Sequence, residues 1–267
     1  MSGRNDAADE TPPLRMRRDG ALVWLRLNRP QSLNAIDVDM ARALGQALRD
    51  IESDASVRAV VLEGEGRAFC AGGDLAHLRQ DPLANAGELI EAFHAALRLL
   101  DALPVPVLAS LQGMVAGAGV SLALACDLAI ATDDTRFNLA YVNIGASCDG
   151  SASWSLPRVV GLRKAMEIAL LGETFDAAEA LRLGIVNRVV RAVALPLEAE
   201  RTARRLAEGP TLALGAMKRL LRDSFERPLA AQLDAEQAAF LRCATTQDFA
   251  AGLDAFAAKS APRFEGR

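Results

Sequence analysis

The stretch Gly66-Arg67-Ala68-Phe69-Cys70-Ala71-Gly72-Gly73-Asp74-Leu75 decides the fold when it is read beside a second one, Gly113-Met114-Val115-Ala116-Gly117-Ala118-Gly119-Val120-Ser121. Each follows a short apolar run, residues 57–62 and residues 107–111, that reads as a strand. Between them, residues 88–103 place Leu89, Phe93, Leu97 and Leu100 at helical spacing, and Pro104 and Pro106 stop that helix. Glycine admits backbone angles and ligand approaches that a Cβ forbids. Taken singly, each loop has a plain reading. The first is a strand-to-helix turn capped by Asp74, and the second lets a helix pack closely. Taken together, they put small residues at two places where backbone N–H groups are left free. Two such groups converging on one point would hold an oxygen that gains negative charge, as an enolate does.

Working outward, residues 14–27 alternate polar and apolar side chains, with Val23, Leu25 and Leu27 on one face and a turn at Asp19-Gly20. This pattern predicts a hairpin, closed by Asn28-Arg29-Pro30. Asp37 is placed to cap a helix that runs to about Ile51. Residues 117–126 read as a buried helix and residues 128–131 as a further strand. From Leu162 the pattern is helical, broken at Gly172 and by the apolar residues 185–190. Residues 198–259 read as three or four helices separated at Gly209-Pro210 and near Pro228. The alternation of strand and helix predicts an α/β fold with crossover units and parallel strand pairing. The last helices have no strands to pack on, so they are expected to cover the core or a neighbouring subunit. The expected organisation is a disordered lead-in over residues 1–13, a core over 14–200 and a helical region over 201–267.

Composition narrows the function. The chain has 267 residues, 51% of them hydrophobic but only 4% aromatic, so the core is expected to be mostly Ala, Leu and Val. A net charge of −4, with Arg interleaved among Asp and Glu, gives no surface for nucleic acid or an anionic membrane. No run is long and apolar enough to span a bilayer. The first thirteen residues contain Asp6, Asp9 and Glu10 and lack the apolar core of a secretory signal. Cys70, Cys126, Cys148 and Cys243 form no CxxC pair and no metal spacing. Reduced thiols and a cytoplasmic location are the expectation, with no metal site. Gly64-x-Gly66 lacks the spacing of a dinucleotide fingerprint.

Beyond the two loops, Asn28-Arg29-Pro30-Gln31-Ser32-Leu33-Asn34-Ala35, residues 106–127, Leu156-Pro157-Arg158-Val159-Val160-Gly161, residues 180–190 and Ala255-Phe256-Ala257-Ala258-Lys259 complete a pattern. Together these stretches resemble the crotonase superfamily, the enoyl-CoA hydratase/isomerase family, over nearly everything after about Arg15. The resemblance implies a crotonase-type spiral of ββα units with a C-terminal helical trimerisation region. It also implies homotrimers, often stacked into hexamers, and acyl-CoA thioesters as substrates, coenzyme A being part of the substrate rather than a cofactor.

Position by position, the resemblance makes the backbone N–H groups of Gly73 and Ala118 the donors to the thioester oxygen. The two glutamates of the family's hydratases fall on Ser121 and Tyr141, neither of which is a base poised near neutral pH. Ser121 is expected to hold a water, and Tyr141 to form a pocket wall. Asp149 falls on the catalytic aspartate of certain enoyl-CoA isomerases; from spacing alone it is equally a loop acid beside Gly150. His94 and Asp149 also fall on a histidine and a nucleophilic aspartate of the 4-chlorobenzoyl-CoA dehalogenase, with Phe93 and Tyr141 on its ring-packing tryptophans. His94 reads either as a pocket-lining histidine or as an acid–base group, and His77 as a surface helix residue. For coenzyme A the resemblance points to Ser32, Leu33, Ala35, Ala71, Asp74 and Leu75, with Phe256 and Lys259 supplied by a neighbouring subunit. The expected activity is a shift of the double bond of an enoyl-CoA with Asp149 as proton shuttle. Hydration of a 2-enoyl-CoA is the first alternative. An aryl-CoA dehalogenase-like hydrolysis and non-catalytic acyl-CoA binding rank lower.

Overall fold

A computed structural model describes residues 12–267. Leu14–Asp19 (β1) and Leu22–Leu27 (β2) form the expected hairpin, in register from Leu14 opposite Leu27 to Asp19 opposite Leu22. The carbonyls of Pro12 and Pro13 each accept a hydrogen bond of 2.7 Å from Asn28, which fixes the chain where the lead-in was expected to continue. The rest of that expected lead-in lies outside the described residues.

After β2, Val38–Glu52 (α1) is capped by the Asp37 carboxylate, which accepts from the Met40 N–H. Ala59–Gly64 (β3) then joins β2 in parallel. The next helical pieces are Leu75–Leu78 (α2) and Pro82–Ala102 (α3). The second of these starts six residues before the periodicity indicated, because Asp81 caps it and Pro82 opens it. Val107–Leu111 (β4), Met114–Ala116 (β5) and Ala118–Ala125 (α4) make one ββα turn. Leu128–Thr132 (β6), Arg136–Asn138 (β7) and Ala152–Val160 (α5) make the next. Leu162–Leu171 (α6), Phe175–Asp176 (β8), Ala177–Arg182 (α7) and Arg188–Val190 (β9) follow, then four helices: Leu195–Ala207 (α8), Thr211–Asp223 (α9), Leu229–Ala244 (α10) and Gln247–Ala257 (α11).

The strands form a six-stranded sheet in the order β1-β2-β3-β4-β6-β9 and a small second sheet, β5-β7-β8. From β2 to β9 every pairing in the larger sheet is parallel. Such a sheet must be covered on both faces, and the period of two along each strand shows how. Val23, Leu25, Leu27, Val60, Leu62 and Ala109 face the core built with α1, α3 and α4. Leu22, Trp24, Ala59, Val61, Leu108 and Ile130 face the opposite way, against Leu195, Ala199, Ala203 and Ala207 of α8. The first of the C-terminal helices is therefore a lid on the sheet. The last three leave Met217, Phe225, Leu233, Phe240 and Phe256 exposed. Among the described residues no helix is long and apolar enough to cross a membrane.

Candidate active site

The first glycine-rich loop is tied down on both sides by backbone pairing. Cys70 bridges to Val115, its N–H donating to the Met114 carbonyl at 3.2 Å while its carbonyl accepts from the Ala116 N–H at 2.9 Å. The Ala71 N–H donates to the Leu33 carbonyl at 3.0 Å. Gly73 then bridges to Ile36: the Ile36 N–H donates to the Gly72 carbonyl at 2.7 Å, and the Asp74 N–H donates to the Ile36 carbonyl at 2.9 Å. In a parallel bridge only the flanking groups of this strand are used, so the Gly73 N–H points away from Ile36. Among the described residues it has no hydrogen-bond partner.

The second loop places its donor at a helix end. Gly117 has φ +49° and ψ −122°, a conformation that needs glycine, and its N–H donates to the Asn138 carbonyl at 2.9 Å. Ala118 is the first residue of α4, so its N–H has no carbonyl one turn earlier to bind and sits at the positive end of the helix. It too lacks a partner among the described residues. The two loops touch. A Cβ on Gly72 would lie 3.2 Å from the Ala116 carbonyl oxygen and 3.6 Å from the Ala118 nitrogen. A Cβ on Gly119 would lie 2.4 Å from the Cys70 carbonyl oxygen.

Asp74 does both things open to it. Its carboxylate caps α2, accepting from the N–H groups of Ala76 at 3.1 Å and His77 at 3.2 Å, and it accepts from Arg29 at 2.9 Å. Burial acts to raise this carboxyl, but the Arg29 guanidinium and the two N–H groups outweigh it and hold it below the usual carboxylate range. Arg29 also pairs with Asp37 at 3.1 Å and donates to the Ala35 carbonyl at 2.6 Å. The buried Asn34, at φ +56°, accepts from the Arg29 N–H and donates to the carbonyls of Glu65 and Ala68. These two residues weld the segment carrying Ser32, Leu33 and Ala35 to the loop carrying Ala71, Asp74 and Leu75. Neither stood out in the sequence, and the one signal for them is the asparagine in a turn.

Around Asp149 the structure gathers Phe93, His94, Ser121, Tyr141 and Gly150. Tyr141 is not only a wall, for its hydroxyl donates to Asp149 Oδ1. Ser121 is fully buried, and its hydroxyl donates to the Asp149 main-chain carbonyl at 3.1 Å, with the Tyr141 hydroxyl 3.3 Å away. Its proton is thus directed to that carbonyl. The Gly150 N–H donates to His94 Nε2 at 3.1 Å, so that nitrogen carries no proton. Gly150 has φ +60°, and a Cβ there would lie 2.7 Å from Phe93 Cε1 and 2.9 Å from Ser121 Cβ. Burial first, and then the Asp149 charge, push the Tyr141 phenol well above its ordinary value, so it remains a donor.

Other residues stand apart. Beyond His94, a cavity of about 690 Å³ opens between α3, α5 and α9, with Leu97, Trp154, Arg158 and Phe225 in its walls. Phe256 is 85% exposed, and Lys259 follows α11 at φ +52° with no salt bridge among the described residues. Neither is brought to the Asp149 cluster within one chain. His77 sits on α2 as expected but is half-buried, its Nε2 enclosed without a partner among the described residues. Burial pushes the thiols of Cys70 and Cys126 up to about 12 each, as small core residues. Among the described residues no three His, Cys, Asp or Glu side chains gather as a metal ion would require.

A spiral of ββα turns, closed by C-terminal helices and lined with two abutting glycine-rich loops, defines a crotonase-type α/β fold. The chain belongs to the enoyl-CoA hydratase/isomerase family, whose sequence profile matches residues 17–267, and it is an acyl-CoA enzyme of that family. It is similar to the 1,2-epoxyphenylacetyl-CoA isomerase of Escherichia coli K12, at 38% identity over 250 residues, which cover 92% of this chain and 95% of that protein. A 4-chlorobenzoyl coenzyme A dehalogenase of Arthrobacter is 37% identical over 215 residues, covering 78% of this chain and 77% of its own. The crystal structure of an enoyl-CoA hydratase from Mycobacterium smegmatis superposes with a TM-score of 0.90 at 35% identity, covering 95% of this chain and 99% of that one.

Proposed function

We propose that the protein moves the double bond of an enoyl-CoA. The thioester oxygen of a 3-enoyl-CoA sits between the N–H groups of Gly73 and Ala118. Asp149 removes a proton from C2, the electron pair spreads into a dienolate, and the charge gathers on the oxygen that the two N–H groups hold. Asp149 then returns the proton to C4, leaving the double bond between C2 and C3. One carboxylate suffices because the proton removed equals the proton returned. Losing one such backbone donor costs about 100- to 1,000-fold in rate. The Asp149 carboxylate, held by the Tyr141 hydroxyl, is the observation that carries this reading.

Support also comes from the Escherichia coli relative, whose name makes it an isomerase of a CoA thioester. Hydrolysis of the dehalogenase kind needs a histidine free to activate water, whereas His94 Nε2 is taken by the Gly150 N–H. The coenzyme A moiety is assigned to Ser32, Leu33, Ala35, Ala71, Asp74 and Leu75, with Phe256 and Lys259 reaching it from a neighbouring subunit of a trimer.

The test is incubation with 2-enoyl-CoA and 3-enoyl-CoA in deuterated water, read by NMR and mass spectrometry. Bond migration that disappears in Asp149→Asn is the expected result. A 3-hydroxyacyl-CoA product in its place would replace the proposal with hydration. Binding without turnover of any thioester would replace it with a carrier function.

A further inference from the structure

We infer that Tyr141 and Ser121 are positioning residues that clamp Asp149 so that a single carboxylate oxygen, Oδ2, carries the proton. This rests on the reading of Asp149 as the proton carrier. The two positions expected to bear acid–base glutamates bear instead two hydroxyls, and both are turned onto the aspartate. Tyr141 donates to Oδ1, and Ser121 donates to the main-chain carbonyl of the same residue. Their two oxygens lie 3.3 Å apart, on the same side of the aspartate. On the far side the Gly150 N–H is held by His94 Nε2. The aspartate is thus fixed through its side chain, its own carbonyl and the next peptide.

The chemistry follows from which atoms remain. Oδ2 has no hydrogen-bond partner among the described residues. A proton taken from C2 therefore goes to Oδ2, and the same oxygen faces C4 for the return. Removal and delivery then occur on one face of the dienolate, with part of the original hydrogen carried across. The phenol stays protonated because burial and the neighbouring charge oppose its ionisation. It is a constant donor to Oδ1 of its partner. The titratable groups near Asp149 are Tyr141, His94 on α3, and Cys148 next to it in the chain. Among the described residues no Lys or Arg forms a salt bridge with it. The phenol is therefore the side-chain donor that fixes the orientation of this carboxylate.

Tyr141 is the chain's single tyrosine, which makes the test specific. Biosynthetic replacement of tyrosine by 3-fluorotyrosine puts one fluorine in the protein, on this ring. The expected fluorine resonance moves on acidification of the unliganded full-length protein, and this movement is absent in Asp149→Asn. Tyr141→Phe is expected to lower kcat roughly tenfold, with KM changed less than twofold, because a charge-assisted hydrogen bond is lost while the ring stays. It also loses label retention: in deuterated water C4 takes up more solvent deuterium than in the parent. A fluorine signal indifferent to Asp149→Asn, or label retention unchanged in Tyr141→Phe, overturns the clamp. The fluorine experiment needs no turnover. If Asp149→Asn still isomerises, the proposed function fails, and the fluorine result still decides the clamp.

Discussion

Gly119→Ala probes whether the two loops work as one unit. The added methyl would stand 2.4 Å from the Cys70 carbonyl oxygen and 2.9 Å from Cys70 Cβ. An ordinary contact is about 3.4 Å, so α4 and the first loop must part by about 1 Å. The first loop cannot yield locally, because that carbonyl accepts from the Ala116 N–H and the Cys70 N–H is bound to Met114. Overpacking of this kind costs about 1–3 kcal/mol, which for a chain of this size lowers Tm by roughly 2–5 °C. A displacement of about 1 Å between groups that must converge costs about 100-fold in rate. The substitution is therefore expected to lower kcat for enoyl-CoA isomerisation about 100-fold while the protein still folds. Gly45→Ala is the control. A methyl there meets nothing closer than 3.7 Å, in the interior of α1, and is expected to gain up to about 1 kcal/mol with unchanged kcat. Circular dichroism melting and a coupled spectrophotometric assay give both quantities. A Gly119→Ala protein within threefold of the parent kcat would refute the idea that the loop spacing sets the geometry of the two free N–H groups.

Other expectations follow from neighbouring features. Arg29→Met leaves Asp37 and Asp74 without their guanidinium; it should raise KM for acyl-CoA at least fivefold in steady-state kinetics, because the 32–35 segment loses its tie to the loop. The Asp74 carboxyl is held below its ordinary value when folded, so its contribution to stability is present at neutral pH and disappears as pH falls below about 4. In acid-denaturation curves, Asp74→Asn should therefore show less loss of stability over that range than the parent. Asp248, 5% exposed, accepts from the N–H groups of Glu265 and Gly266, so Asp248→Ala should cost about 1–3 kcal/mol in urea unfolding and expose the C-terminal residues to carboxypeptidase. Native protein treated with a thiol reagent at pH 8 should titrate no more than two of its four cysteines, with Cys70 and Cys126 reacting only on unfolding.

What was legible in the sequence was what repeats. The hairpin, α1, β4 and α4 follow from alternation, capping and helical spacing, and the structure places them within a residue or two of the expected bounds. The strands β5, β7 and β8, with three residues or fewer each, carry no periodicity, and they pair only because longer strands bring them together. Helix α5 was missed because Pro157 interrupts its pattern and because the residue before it, Ser151, is a non-glycine at positive φ. In the proposed site, Gly73, Ala118 and Asp149 came from motif position. The work of Tyr141 did not. A phenol bound to a carboxylate eight residues away depends on the left-handed turns at Ala140, Gly145 and Gly150, none of which has a periodic signature. Arg29 and Asn34 escaped for a similar reason: their partners lie up to 45 residues along the chain.

The two donors left unpartnered among the described residues are peptide groups; a β-bridge to Ile36 sets the direction of one, and the helix start after Gly117 that of the other. No exchange of one side chain for another can delete a peptide N–H, short of proline. Ser121, Tyr141 and Asp149 are ordinary side chains that a single codon change can replace. The chain thus divides its chemistry into an inherited part and an editable part. On the proposed function, drift can rewrite what happens to a thioester while the means of gripping it is passed on intact.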